Sequence, residues 1–191
     1  MGRLNMRFSE KAIVLKDGRT ALLRSPTADD AETLLQFLFC MAAETDFTMR
    51  YPEERESMTV EAERAFLERM AASENDCMIG AWIDGVFAGN CHISRGNAIK
   101  TRHIATLAIG LKRAYWGIGL GRTLMREMEA IGRTLGVDKL ELEYIEGNER
   151  AVRLYTAVGF TEYGRHPDAV RLKDGTRLAL IGMQKYGLQE A

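Results

Sequence analysis

The spacing of apolar and polar residues changes several times along the chain, and each spacing predicts a type of secondary structure. Two short apolar runs at residues 12–15 and 20–23 flank Asp17 and Gly18, a pair that favours a tight β-turn. Residues 31–43 then place their apolar side chains three and four positions apart, the spacing of one buried helix face. The chain therefore starts with a predicted β-hairpin and a predicted helix.

The rest of the chain alternates between further loop, strand and helix patterns. An irregular, acid-rich segment with Pro52 predicts a loop, whereas apolar runs around Asp84 and Gly85 predict a second hairpin. Alternating apolar and glutamate positions later in the chain predict a strand with two unlike faces. The predicted elements are a loop over residues 44–57, helices over 59–72, about 120–135 and 148–158, and strands over 77–83, 86–94, 102–111, 139–145, 160–164 and 177–185.

This order of elements fits one mixed β-sheet covered by helices, an α/β (α+β) fold. A chain of 191 residues can build one substantial core and is short for two. No repeat or low-complexity tract interrupts the pattern. Residues 1–191 are therefore predicted to form a single domain.

The composition narrows the possible partners. The formal net charge is −1 and Lys and Arg form no block, so neither nucleic acid nor an anionic membrane is predicted as a partner. No apolar run approaches the roughly 20 residues of a membrane span, and residues 1–11 lack the apolar centre of a signal peptide. We therefore expect a cytoplasmic protein.

The three cysteines, Cys40, Cys77 and Cys91, lie apart in apolar segments without a CxxC spacing. Cys91 precedes His92, but adjacent strand residues point to opposite faces of a sheet, so this pair predicts neither a nucleophile nor a metal site. Reduced thiols and no bound metal are expected.

Three alternating glycines, Gly117, Gly119 and Gly121, follow a predicted strand and immediately precede a predicted helix. Glycine has no Cβ, so a ligand can approach its backbone closely. The first N–H groups of the helix have no partner within the helix and lie at the positive end of its dipole. This arrangement predicts a binding site for a diphosphate.

Two segments of the chain resemble the acetyl-CoA-binding core of the GNAT superfamily of N-acetyltransferases: AIGLKRAYWGIGLGRTLM and LELEYIEGNERAVRLYTAVGF. The resemblance is close over residues 104–160, and the order of elements agrees over nearly the whole chain. It implies a GNAT-like domain with a central, mostly antiparallel, twisted sheet of about seven strands and about four flanking helices. The sheet is expected to splay at its two central parallel strands.

The resemblance implies acetyl-CoA as cosubstrate, held by backbone groups of the strand before the glycines and by the glycine loop itself. Trp116 stands where the family usually has Gln or Arg, but a site that works through backbone N–H groups tolerates this change. The residues expected to contact the coenzyme are Ile109, Leu111, Trp116, Gly117, Ile118, Gly119, Leu120, Gly121, Arg122, Asn148, Ala151 and Tyr155.

The resemblance also assigns Tyr155 the role of general acid, which protonates the departing thiolate. An alkylammonium acceptor with a pKa of about 10.4 must lose a proton before it attacks, at a cost of roughly 4 to 5 kcal/mol at pH 7. Certain family members carry a glutamate for this purpose at the position of Ala105, so here the base is missing. His103 and Glu44 are candidate substitutes, as are Glu141 and Glu143 on the cleft strand.

The predicted activity is acetyl transfer from acetyl-CoA to a primary amine, which could be a small amine, an amino acid or a peptide N-terminus. A homodimer is one assembly that the resemblance allows. The missing glutamate motivates an alternative, a catalytically silent acetyl-CoA sensor or partner-binding module. A nucleotide-dependent oxidoreductase fits less well, because the glycines are spaced G-x-G-x-G and occur late in the chain.

Overall fold

The computed structural model describes residues 6–188, so the predicted domain of residues 1–191 reaches beyond it at both ends. The described residues form eight strands and four longer helices. In chain order these are β1 (Lys11–Val14), β2 (Thr20–Arg24), α1 (Ala31–Glu44), α2 (Val60–Ala72), β3 (Asp76–Ile83), β4 (Val86–Arg95), β5 (Ile104–Leu111), α3 (Leu120–Thr134), β6 (Lys139–Ile145), α4 (Glu149–Ala157), β7 (Thr161–Arg171) and β8 (Arg177–Tyr186).

All eight strands belong to one sheet in the order β1-β2-β3-β4-β5-β6-β8-β7. Every neighbouring pair is antiparallel except β5 and β6, which run parallel near the middle of the sheet. The predicted mixed, mostly antiparallel sheet is confirmed, with eight strands where about seven were expected.

Two predicted strand boundaries differ from the structure by more than one residue. β7 continues to Arg171 instead of ending at Gly164, because register shifts after Glu162 and His166 break the simple alternation that marks a strand in a sequence. β5 starts at Ile104, since Thr101 and Ile104 donate backbone hydrogen bonds within a preceding turn.

Helices cover the sheet on both faces. On one face, α3 and α4 pack on inward-facing strand residues and form the larger core, which includes Met125, Leu140 and Phe160. On the other face, α1 and α2 form a smaller core around Phe37, Leu67 and Phe87. None of the helices within residues 6–188 is long and apolar enough to cross a lipid bilayer.

The end of β5 faces two different environments as a result. Side chains alternate along a strand, so Ala105 and Leu107 enter the larger core while Ala108 and Gly110 face the side of α1. Gly110 lies against α1 so closely that a Cβ there would be 3.3 Å from Phe37 Cζ. The carboxyl end of β5 is thus enclosed between the two helical layers.

Candidate active site

The parallel strands β5 and β6 separate after a short contact. They pair only at Ile104 with Lys139, Ala105 with Leu140 and Thr106 with Glu141. Beyond Thr106, β5 keeps pairing with β4 up to Leu111, whereas β6 follows β8 up to Ile145. The sheet therefore splays at the parallel pair, as expected, and a cavity of about 940 Å³ opens beside the free edge of β5.

The glycine loop closes one end of this cavity. Gly117 and Gly119 have φ angles of 81° and 91°, a left-handed conformation that glycine adopts without strain, and Gly119 is the N-cap of α3. Within the described residues, no backbone N–H of residues 117–122 donates a hydrogen bond. The first backbone N–H of α3 that donates one belongs to Thr123, and it donates to the Gly119 carbonyl oxygen. We call residues 117–122 the amide loop.

Cationic side chains surround the amide loop. Arg122 belongs to the loop, the Lys16 side chain lies against Gly119, and Arg150 lies against Trp116. The Lys16 N–H donates to the Ile118 carbonyl oxygen at 3.1 Å, which attaches the β1–β2 turn to the loop. Unpaired amides and three cations close together make this end of the cavity suited to a polyanion such as a diphosphate.

Trp116 has a defined structural role at the position where a Gln or Arg was expected. Its indole Nε1 donates to the Leu111 carbonyl oxygen at 2.8 Å, which ties the amide loop to the end of β5. The Arg150 guanidinium lies 4.2 Å from the centre of the Trp116 ring, a cation–π contact. Arg150 therefore places a positive charge from α4 beside the loop, next to the tryptophan that stands where the family usually has Gln or Arg.

The first turn of α4 forms a further wall. The Asn148 side chain accepts a hydrogen bond from the Ala151 N–H at 3.1 Å and so caps the helix. Tyr155 follows two helical turns later and is only 6% exposed. Its ring lies 6.3 Å from that of Tyr144 and 6.2 Å from that of Phe160. Burial raises the pKa of the Tyr155 hydroxyl, so this group stays protonated at neutral pH.

Most of the coenzyme residues predicted from the sequence border the cavity. These are Ile109, Leu111, Trp116, Gly117, Gly119, Gly121, Arg122, Asn148, Ala151 and Tyr155. Ile118 and Leu120 are absent from the lining, because Ile118 packs against the core and the Leu120 side chain is buried within it. Their backbone N–H groups still belong to the amide loop.

The residues considered as proton acceptors lie outside the cavity. Glu44 ends α1, where its Oε2 accepts the Arg113 N–H at 2.7 Å and so joins α1 to the β5–α3 connection. His103 is exposed and precedes β5, about 20 Å from Ile109 at roughly 3.3 Å per strand residue. Glu141 pairs with Lys139 at 2.5 Å. Glu44, His103, Glu141 and Glu143 are not among the cavity-lining residues.

A second part of the cavity, which the sequence did not reveal, lies between α1, α2 and the strands β3 to β5. We call it the inner chamber. Its walls are mostly apolar, and three ionisable side chains interrupt them: Arg55, Glu63 and His92. The apolar residues that line it are Leu34, Phe37, Leu38, Met41, Phe47, Met49, Met58, Phe66, Met78 and Ala108.

Burial governs the charges of the inner chamber. Glu63 is 5% exposed, and burial raises the pKa of its carboxyl group while the nearby Arg55 lowers it again in part. Burial likewise lowers the pKa of Arg55, whose Nε is buried without a hydrogen-bond partner in residues 6–188. The chamber therefore binds best those molecules that are largely apolar and carry few polar groups.

Contacts between distant loops hold the segment between α1 and α2 in place beside the inner chamber. The Lys173 N–H, from the β7–β8 connection, donates to the Tyr51 hydroxyl at 3.0 Å, and Lys173 pairs with Glu53. The Phe47 ring packs near Gly147, where an added Cβ would be 3.6 Å from it. The residues between α1 and α2 thus span the splayed face of the sheet. Within residues 6–188 no group of three His, Cys, Asp or Glu side chains is placed to hold a metal ion.

A sheet that splays at its parallel pair, with an amide loop at one end of the resulting cavity, defines an acetyltransferase fold. The chain belongs to the GNAT acetyltransferase family, whose model matches residues 40–160. This confirms the resemblance found in the sequence.

Three relatives illustrate the similarity. The chain is 35% identical over 100 residues to N-alpha-acetyltransferase RimI of Mycobacterium tuberculosis. This alignment covers 52% of this chain and 61% of RimI. A GNAT-family acetyltransferase from Streptococcus pneumoniae has a similar structure, with a TM-score of 0.82 and 30% identity over 87% of this chain and 99% of that protein. YncA from Salmonella typhimurium, a putative acetyltransferase solved with acetyl-CoA, has a TM-score of 0.76 at 19% identity over 90% of this chain and 95% of its own.

Gly117 allows the charge of the amide loop to be tested without steric interference. Its positive φ is one that Asp and Asn adopt more readily than other side chains, and an added Cβ there meets nothing within 4 Å. We expect Gly117→Asp to weaken acetyl-CoA binding about tenfold or more, or roughly 1.4 kcal/mol, because a carboxylate repels the diphosphate. Calorimetric titration with acetyl-CoA measures the effect.

Gly117→Asn is the matched control, since it has the same shape without the charge. It should bind acetyl-CoA several times more tightly than Gly117→Asp. Equal affinities for the two variants would show that the diphosphate lies away from the amide loop.

Proposed function

We propose that the protein transfers the acetyl group of acetyl-CoA to a primary amine by direct attack of the amine on the thioester. The observation that carries this proposal is the continuity of one cavity. It joins the amide loop, the free edge of β5, Tyr155 and the inner chamber. A nucleotide thioester and an apolar acceptor can therefore meet within a single space.

In this proposal the amide loop and its surrounding cations bind the diphosphate of acetyl-CoA. The pantetheine arm follows the free edge of β5, where backbone groups of Ile109 and Leu111 are no longer engaged by β6. Asn148, Ala151 and Tyr155 form the opposite wall. The backbone N–H of Ile109 or Leu111 then polarises the acetyl carbonyl as negative charge develops on its oxygen.

Tyr155 acts as the general acid. The amine nitrogen forms a bond to the thioester carbon, the C–S bond breaks, and the sulfur leaves with the bonding electrons. The Tyr155 hydroxyl donates its proton to that sulfur and regains one from the acetylated nitrogen. Its raised pKa keeps the proton on the phenol at neutral pH until the thiolate forms.

The acceptor enters through the inner chamber. Its apolar walls favour an amine whose neighbouring group is apolar or aromatic. The similarity to an N-alpha-acetyltransferase supports a peptide N-terminus as the acceptor. The α-amino group also has a pKa of about 8, so its deprotonation at pH 7 costs only about 1.4 kcal/mol. A small apolar amine fits the same walls and is the second candidate.

Release of CoA from acetyl-CoA tests the proposal against the silent-sensor alternative. The acceptors are a hexapeptide with N-terminal alanine, free phenylalanine and 2-phenylethylamine, and a thiol reagent measures CoA. We expect CoA release with at least one of them. A protein that binds acetyl-CoA but releases no CoA above the rate without amine would instead be a binding module.

Tyr155→Phe tests the acid. We expect kcat to fall about 10- to 100-fold, because the thiolate must leave without a proton, whereas the affinity for acetyl-CoA stays within about twofold. Tyr144→Phe removes the hydroxyl from the neighbouring tyrosine, which is absent from the cavity lining, and should leave kcat within about twofold. Steady-state kinetics of both variants give the comparison, and an unchanged kcat in Tyr155→Phe would refute the acid role.

A further inference from the structure

The proposed transfer needs a group that takes a proton from the acceptor's ammonium, and the residues expected to do so lie outside the cavity. The inference below rests on the proposed function. The inner chamber itself contains two side chains able to accept a proton, Glu63 on α2 and His92 on β4. The groups around these two side chains differ, and we compare them to choose between Glu63 and His92 as the base.

His92 lies beside the part of β5 where the acetyl group is expected. In the register of the sheet it is opposite Ala108, and Asn90, two residues earlier on β4, is opposite Gly110. Residues two apart on a strand point to the same face and are about 7 Å apart. The His92 side chain therefore projects from the same face as Gly110, about 7 Å along the sheet, a gap that one water molecule can bridge.

A carboxylate behind the imidazole sets its orientation. His92 Nε2 is buried without a hydrogen bond from any described residue and lies 3.6 Å from Asp76 Oδ1 on the neighbouring strand β3. Asp76 is held in place by the Ser73 hydroxyl, which donates to its Oδ2 at 2.6 Å. In the neutral imidazole a proton on Nε2 faces this carboxylate. The lone pair of Nδ1 is then available to accept a proton from a molecule in the chamber.

Glu63 has a different environment. Its carboxyl group is on the helical side of the chamber. The charge that acts on it is that of Arg55, and the strand beside which the acetyl group is expected lies across the chamber. This arrangement suits binding of an acceptor better than removal of its proton.

We propose that His92 accepts the proton of the acceptor's ammonium group and that Asp76 is its positioning residue. Nδ1 takes one proton from R–NH3+, and the neutral amine then attacks the thioester carbon. The imidazolium formed on His92 releases its proton to solvent. After its attack the acceptor nitrogen loses a second proton, which replaces the one that Tyr155 gave to the sulfur. The products are therefore R–NH–acetyl, CoA thiol and one free proton.

The protonation state of His92 agrees with this role. Burial lowers the pKa of the imidazole, and the Asp76 carboxylate raises it again in part. Burial raises the pKa of Asp76, but hydrogen bonds from Ser73 and Ser94 and the charge of the nearby His92 lower it by more, so Asp76 stays ionised. The other charged groups that line the chamber are Glu63 and Arg55 on its helical wall. At pH 7 His92 is therefore neutral and able to take a proton.

The pH dependence of kcat tests the proposal, with the fastest of the three amines named above as acceptor. The wild-type kcat should rise with pH through the pKa of His92 and then level off. His92→Gln should lose this rise and fall about 100-fold in kcat at pH 7, with acetyl-CoA affinity within about twofold. His166→Gln is the matched control: His166 is exposed on β7, and this variant should keep the wild-type profile.

Asp76→Asn separates positioning from folding. Because the carboxylate raises the pKa of the imidazole, its removal should move the rise in kcat to lower pH and reduce kcat by less than His92→Gln does. The chain has only three histidines, so the Cε1–H signal of His92 can be assigned by NMR from the His92→Gln spectrum. Its titration midpoint should match the kinetic one and shift with it in Asp76→Asn.

The outcomes are distinct. A wild-type protein that releases no CoA with any of the three amines overturns the proposed function and this inference together. Turnover with an unchanged pH profile in His92→Gln overturns the inference alone. Loss of the rise in Glu63→Gln or His103→Gln, with His92→Gln unaffected, would assign the base to that residue and reject His92.

Discussion

The separation of β5 from β6 after three paired residues is the constraint on which the rest of the molecule depends. In a continuous sheet the backbone N–H and C=O groups of neighbouring strands bond to each other, so none is free to bind a ligand. Here β6 turns toward β8 while β5 stays with β4, so one strand edge is left unpaired at the level of the amide loop. Two sets of free backbone donors, one from a strand and one from a helix start, thereby face the same cavity.

Backbone recognition of this kind explains why side chains around the coenzyme end can change. Trp116 occupies a position where the family usually has a polar or cationic side chain, yet the loop keeps its conformation through glycines with positive φ and through the indole contact to Leu111. The positive charge comes instead from Arg150 on α4, stacked on the same indole. The inner chamber is lined mostly by side chains, and it is there that we propose the acceptor binds and loses its proton.

The parts predicted well from the sequence are those encoded by neighbouring residues. Hairpin turns at Asp17-Gly18 and Asp84-Gly85, the helix over residues 148–158 and the glycine loop before α3 all depend on spacing within one segment. The inner chamber could not be predicted in this way, because its walls combine residues from α1 to β5 that only the tertiary fold brings together. His92 shows the same limit: its neighbour Cys91 is buried on one face, whereas His92 faces the cavity and Asp76 on the other. His103, on the strand that leads to the glycines, proved to lie at the far end of β5.

The central claim is that the amide loop binds the diphosphate while the free edge of β5 holds the thioester. A crystal structure of the protein with acetyl-CoA tests it most directly. We expect diphosphate oxygens about 2.7–3.2 Å from backbone nitrogens of residues 117–122 and the acetyl group beside Gly110, between β5 and β6. A diphosphate bound elsewhere, or a β5 edge paired with β6 along its whole length in that structure, would contradict it.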